Sequence, residues 1–111
     1  MAPPYTGGCV CGATRYRLTA EPLTLYACHC TDCQKRSGSA FGLSMWVHRG
    51  ALELTLRPGT LDDTSWLVPV AHIWTRSALP WFRFPEGVPT YEKQPADVLE
   101  LARLWQSRRR M

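Results

Sequence analysis

Three of the five cysteines fall within six residues, at Cys28, Cys30 and Cys33 in the stretch ACHCTDCQKRSG. Thiolates are metal ligands and nucleophiles, and three so close together suit a single ion. In extended chain, residues two apart point to one side but sit about 6–7 Å apart. A tetrahedral zinc, with Zn–S bonds of about 2.3 Å, needs the sulfurs closer. A turn over residues 29–33 would gather them, and Gly38 permits further tight backbone. Free thiols titrate near about 8.5 and are mostly neutral at pH 7, whereas coordination deprotonates them.

Three ligands without an evident fourth suggest an open Zn²⁺ site that leaves one position for a substrate. Zn²⁺ with three thiolates carries a net negative charge, so it is a poorer Lewis acid than a three-histidine zinc. It is better suited to exchanging a soft ligand, such as a substrate thiolate, than to making hydroxide. Lys35 and Arg36 follow in sequence and offset some of that charge. A Cys30–Cys33 redox pair is the competing reading, but no βαβ pattern surrounds it and Cys28 is left unexplained. Buried structural cysteines do not usually stand beside Asp32, Gln34 and Lys35. His29 points away from its neighbours in extended chain and is left out of the ligand set.

The other two cysteines, Cys9 and Cys11, lie in GGCVCGATRY among Gly7, Gly8 and Gly12. Glycines there let the backbone turn so that amide N–H groups face the sulfurs. Two thiols are half a structural zinc site, and no further cysteine pair exists to complete it.

Elements that position these residues read as short strands. ATRYRLTA and LTLYA flank a turn at Glu21-Pro22. SAFGLSMWVH alternates, with Phe41, Leu43, Met45 and Val47 on one face and Ser44 and His48 on the other. ALELTL puts Leu52, Leu54 and Leu56 inward, and Pro58-Gly59 ends it; VAHIW is a fifth candidate. Five brief strands indicate a mainly β domain. Only the end reads as helix: Pro95 is placed to open it, and Val98, Leu101, Ala102 and Trp105 recur at helical spacing. Arg108, Arg109 and Arg110 complement the negative end of its dipole.

The 111 residues fit one domain, 1–111, with a core over about 7–97 and a C-terminal helix and basic tail over 95–111. The start, MAPPYTGG, shows no secretory pattern, and no apolar stretch reaches transmembrane length. A cytoplasmic protein without membrane contact is expected, in which clustered thiols serve metal or redox chemistry. The net charge of +4 owes much to the terminal arginines and forms no stripe with interleaved aromatics, so nucleic-acid binding is not expected. Leu61-Asp62-Asp63 reads as a turn rather than a carboxylate dyad. HIWTRSALPWFRFPEG sets Trp74, Trp81, Phe82 and Phe84 near Arg76 and Arg83, a core wall or, less often, a pocket edge. His72 is a candidate proton carrier that spacing alone does not place.

GGCVCGATRY, CHCTDCQKRSGSAF, GTLDD and HIWTRSALPW together resemble the glutathione-dependent formaldehyde-activating enzyme family, which includes centromere protein V. The resemblance implies an Mss4-like β-tent of short antiparallel strands. It implies that Cys28, Cys30 and Cys33 are catalytic zinc ligands and that Cys9 and Cys11 are the remnant of a four-cysteine structural zinc. The activity implied is addition of glutathione to formaldehyde, or of a similar thiol to a small aldehyde, classed as a carbon–sulfur lyase. Lys35, Arg36 or Arg76 would orient the anionic thiol. The alternative is a non-catalytic zinc-binding module that has lost its structural site.

Family members carry a Cys-X-X-Cys-Gly segment where this chain runs through SMWVHRGALELTLRPGTLDD without cysteine, an internal shortening. Cys9 and Cys11 then have three outcomes open: replacement ligands such as His48 or His72, the same thiols of a second chain, or an empty or weak site. The last is the expectation. No oligomeric state is read from the sequence.

Overall fold

The computed structural model describes residues 2–48 and 58–108. Five strands occur among them, in two sheets: β1 (Tyr5–Gly8), β2 (Arg15–Leu18), β3 (Thr24–Cys28), β4 (Gly42–Trp46) and β5 (His72–Ile73). The helices are α1 (Thr31–Ser37) and α2 (Leu99–Arg108). The domain is β-rich, as its short alternating segments predict.

β1 and β2 form an antiparallel hairpin in which Tyr5 faces Leu18 and Gly8 faces Arg15. The strand β1 is absent from the sequence reading, because TGG has little strand propensity of its own. Pairing makes it a strand. Gly8 permits this close approach: a Cβ there would run into the Thr14 carbonyl. Leu61 bridges to Gly7, and the Asp62 carboxylate accepts from Thr6 Oγ1 and from the Arg15 guanidinium. Asp63 accepts from the Ser65 amide and hydroxyl. The two aspartates thus anchor turns.

The second sheet has the order β4-β3-β5. β3 and β4 are antiparallel, Ala27 opposite Leu43 and Cys28 opposite Gly42. β5 instead runs parallel to β3, with Ala27 opposite His72 and Cys28 opposite Ile73. The other two strand pairs are antiparallel, as expected of a mainly antiparallel fold, and β5 is the parallel addition. A long connection between β4 and β5 lets the chain return in either direction, a choice local alternation does not encode. The expected ALELTL strand lies outside the described residues, as do Arg109 and Arg110.

Two apolar clusters hold the sheets. Tyr5, Leu18, Leu25, Met45, Leu61 and Trp105 form one; Cys28, Ala71, Ile73 and Leu101 form the other. α2 supplies a residue to each. It begins at Leu99, later than Pro95, because Asp97 Oδ1 accepts the Leu99 amide at 3.0 Å and caps the first turn. Leu101 and Trp105 are buried one turn apart, each contributing about 1.5–3 kcal/mol by leaving water. The Leu101 carbonyl also accepts from Thr24 Oγ1 at 2.7 Å, tying α2 to β3.

Candidate metal centre

β3 ends on Cys28, and the chain then turns directly into α1. This helix, too, is missing from the sequence reading, which places a turn there. Cys30 is its N-cap, in extended conformation, and Gly38 closes it at φ 64°, where its amide donates to the Gln34 carbonyl. Asp32 sits in the first turn and Lys35 and Arg36 in the last, matching the helix dipole. Cap, charge order and terminal glycine were all present in CTDCQKRSG. At seven residues the apolar periodicity is too short to register.

The strand-to-helix turn brings the three sulfurs within 4.8 Å of one another. Cys28 Sγ lies 3.4 Å from Cys30 Sγ, and the Cys33 amide donates to Cys30 Sγ at 3.4 Å. Sulfurs at the corners of a tetrahedral zinc site stand about 3.8 Å apart, given bonds of about 2.3 Å. The donor set and its spacing therefore fit a metal ion, and this group could hold one. Among the described residues it is the one group of three or more such donors.

Position sets the three thiols apart chemically. Burial, then the Cys33 and Cys30 thiols, pushes Cys28 well above its ordinary value. Partial burial acts the same way on Cys30, but the Cys33 amide and the neighbouring thiols outweigh it and bring Cys30 below its usual range. Burial raises Cys33, although the Cys28 thiol and the Arg36 charge oppose it. Cys30 is the sulfur most ready to be a thiolate, because the first turn of α1 turns an N–H toward it.

Residues that the motif does not advertise hold this turn. Gln34 Nε2 donates to the His29 carbonyl and to the Ser77 carbonyl, both at 2.9 Å, clamping the cysteine loop to the turn at Thr75–Ser77. That turn starts at Trp74, whose φ of 58° is left-handed for a bulky residue and costs on the order of 1–3 kcal/mol. Trp74 packs against the cluster that contains Cys28, and its indole N–H donates to Gln94 Oε1 at 3.3 Å.

His29 is fully buried. Its Nε2 lies 2.9 Å from His72 Nδ1. The rings of Phe82, Phe84 and Phe41 stand 4.7, 5.1 and 5.1 Å from it. Burial and the adjacent His72 push His29 down to about 4, and burial lowers His72 as well. The pair is a neutral, aromatic-lined support behind the cysteine turn. Phe82 and Phe84 belong to this wall; Trp81 is largely exposed.

An open cleft of about 430 Å³ is lined by Arg36, Ser37, Ser39, Phe41, Leu43 and Pro58. Gly42 lines it as well, where a Cβ would stand 3.4 Å from the Cys33 Cβ, so the cleft abuts the cysteine helix. Lys35 is exposed on the same helix; Arg76 and Arg83 are exposed on the later loop.

Cys9 and Cys11 lie elsewhere, both exposed, in the loop joining β1 to β2. The Ala13 amide and then the Cys9 thiol hold Cys11 below its ordinary value. No third donor joins them among the described residues. His72 is engaged with His29 instead, and His48 is exposed at the end of β4.

Residues 4–58 match the family described as glutathione-dependent formaldehyde-activating enzyme. The chain belongs to this family. The matched span contains all five cysteines and α1; GTLDD and HIWTRSALPW lie beyond it or at its edge. No curated protein matches the chain. Among the described residues no helix is long and apolar enough to cross a membrane.

Proposed function

We propose that Cys28, Cys30 and Cys33 hold Zn²⁺ and that the protein adds a glutathione-like thiol to formaldehyde or a related small aldehyde. The reaction belongs to the carbon–sulfur lyases. It joins the sulfur to the aldehyde carbon, opens the C=O π bond and leaves the thiol's proton on the new hydroxyl, giving S-(hydroxymethyl)glutathione when glutathione is the thiol. The single observation that carries this reading is the close-set sulfur trio at a strand end, inside the stretch that matches the family. Cys9 and Cys11 are read as what remains of the family's structural zinc site in an internally shortened tent. Five free thiols fit a reducing, cytoplasmic setting.

When bound, the zinc supplies an open coordination position that favours the thiolate over the thiol. The protein's part is placement. The Cys33 amide favours the thiolate form of Cys30, and Gln34 fixes the turn so that the three sulfurs converge on one point. Arg36, at the wall of the adjoining cleft, attracts the carboxylates of the thiol. Trp74 and the Cys28 cluster keep water from one side. Holding thiol and aldehyde together provides most of the acceleration.

The test is NMR exchange between formaldehyde and glutathione in the presence of the wild type and of Cys30→Ala. The expected result is acceleration of the exchange at least about a hundredfold above buffer, lost in the variant. Equal rates for wild type, variant and buffer sink the enzyme and leave a zinc-binding module.

A further inference from the structure

The loop joining β1 to β2 carries two thiols that the proposed reaction leaves idle. Cys9 and Cys11 are both exposed, and Val10 between them is fully exposed, at 104%, so both sulfurs meet solvent. The trio differs: Cys28 is buried, and Cys30 and Cys33 are half-buried.

The loop is a turn of set shape. The Gly12 amide donates to the Cys9 carbonyl at 2.9 Å, and the Cys9 amide to the Thr14 carbonyl at 3.0 Å. Gly12 takes φ 80°, which a side chain would strain. Residues two apart stand about 6–7 Å from each other in extended chain. A turn draws them closer, into the Cα separation of about 4.4–6.8 Å that a disulfide spans. The Ala13 amide donates to Cys11 Sγ at 3.5 Å, and the Cys9 thiol stabilises the same sulfur. An N–H aimed at a sulfur favours the thiolate, the form that attacks a disulfide.

We propose that this loop is a thiol–disulfide exchange site for small-molecule disulfides, with Cys11 as the attacking sulfur and Cys9 as the resolving one. Neither step needs a metal, so the inference stands apart from the function proposed for the trio. Cys11 gives its proton to solvent, and its thiolate attacks one sulfur of the small disulfide. That S–S bond breaks, a mixed disulfide forms on Cys11, and the first thiol leaves with a proton from solvent. Cys9 then loses its proton and attacks Cys11 Sγ. The Cys9–Cys11 bond forms, the mixed disulfide breaks, and the second thiol leaves protonated. The dithiol is thereby oxidised to a disulfide, and the small disulfide is reduced to two thiols. Exposed disulfides are the labile kind, so excess thiol reverses the sequence and the loop follows the ratio of thiol to disulfide around it. The net +4 of the chain suits an anionic disulfide, and oxidised glutathione is the probe.

The experiment uses the full chain, reduced and supplied with zinc, then exposed to oxidised glutathione, quenched in acid and read by peptide mass spectrometry. The expected result is loss of two hydrogens from the peptide that carries both Cys9 and Cys11, restored by excess reduced glutathione. Cys9→Ser should stop at a lasting mixed disulfide on Cys11. Cys11→Ser should react at least about tenfold more slowly, through Cys9 alone. Cys30→Ala should leave oxidation of the pair unchanged even where the trio's metal and the activity proposed above are lost. If Cys30→Ala does not fold, the two loop variants, both at exposed positions, decide by themselves. A pair that stays reduced, mixed disulfides that persist in the wild type, or equal rates for Cys9→Ser and Cys11→Ser overturn the proposal.

Discussion

Two groups of thiols sit some twenty residues apart in the same chain, and the fold treats them in opposite ways. Cys28, Cys30 and Cys33 lie where a buried strand becomes a helix, with an amide aimed at one sulfur and the turn clamped by Gln34. Cys9 and Cys11 occupy an exposed hairpin loop whose order comes from its own backbone. The trio has a complete local donor set, whereas the pair has half of one. A binding site depends less on the presence of thiols than on the number of elements converging to fix them.

The largest expected contrast lies in stability. Cys28→Ala in the zinc-loaded protein should lower the unfolding free energy by about 3 kcal/mol or more and the Tm by about 12 °C or more, through cavity and lost metal together. Cys9→Ala, at an exposed loop position, should stay within about 0.5 kcal/mol of wild type. Comparable losses from both, seen by thermal melts, would erase the distinction between the two regions.

A smaller effect should appear with pH. The folded pKa of His29, about 4, lies below its ordinary 6.5, so the unfolded chain takes up that proton first. Its contribution is complete above pH 6.5 and falls away as pH drops toward 4, by up to about 3 kcal/mol. Urea titrations of wild type and His29→Phe should differ in slope across that window, and parallel profiles would contradict it. No buried histidine stands behind the hairpin loop, so Cys11→Ser should leave the slope unchanged.

The smallest of the three concerns the clamp. Gln34→Ala removes two hydrogen bonds and should cost about 1–3 kcal/mol. It should also weaken metal retention by the trio against a competing chelator, while leaving the Cys9/Cys11 loop untouched. Unchanged zinc retention would mean that the turn needs no support from the Thr75–Ser77 segment.

The trio, its turn and the C-terminal helix were legible in the sequence because each is local. Ligand spacing and the Leu101 to Trp105 period involve residues close along the chain. β1 was not legible, since Thr6, Gly7 and Gly8 become a strand only when β2 and Leu61 pair with them. The α1 helix was too short for periodicity to show, although its cap and charges were visible afterwards.

Residue types and short spacings, then, determined that this chain gathers thiols that could hold a metal ion and builds a β-rich fold. Tertiary structure decided that β5 runs parallel to β3, that Gln34 ties the cysteine turn to Ser77, and that His29 meets His72 within a phenylalanine wall. Those contacts span more than forty residues. Burial takes these groups out of water, so most of them bond to whatever partner the folded chain brings near, however distant in sequence.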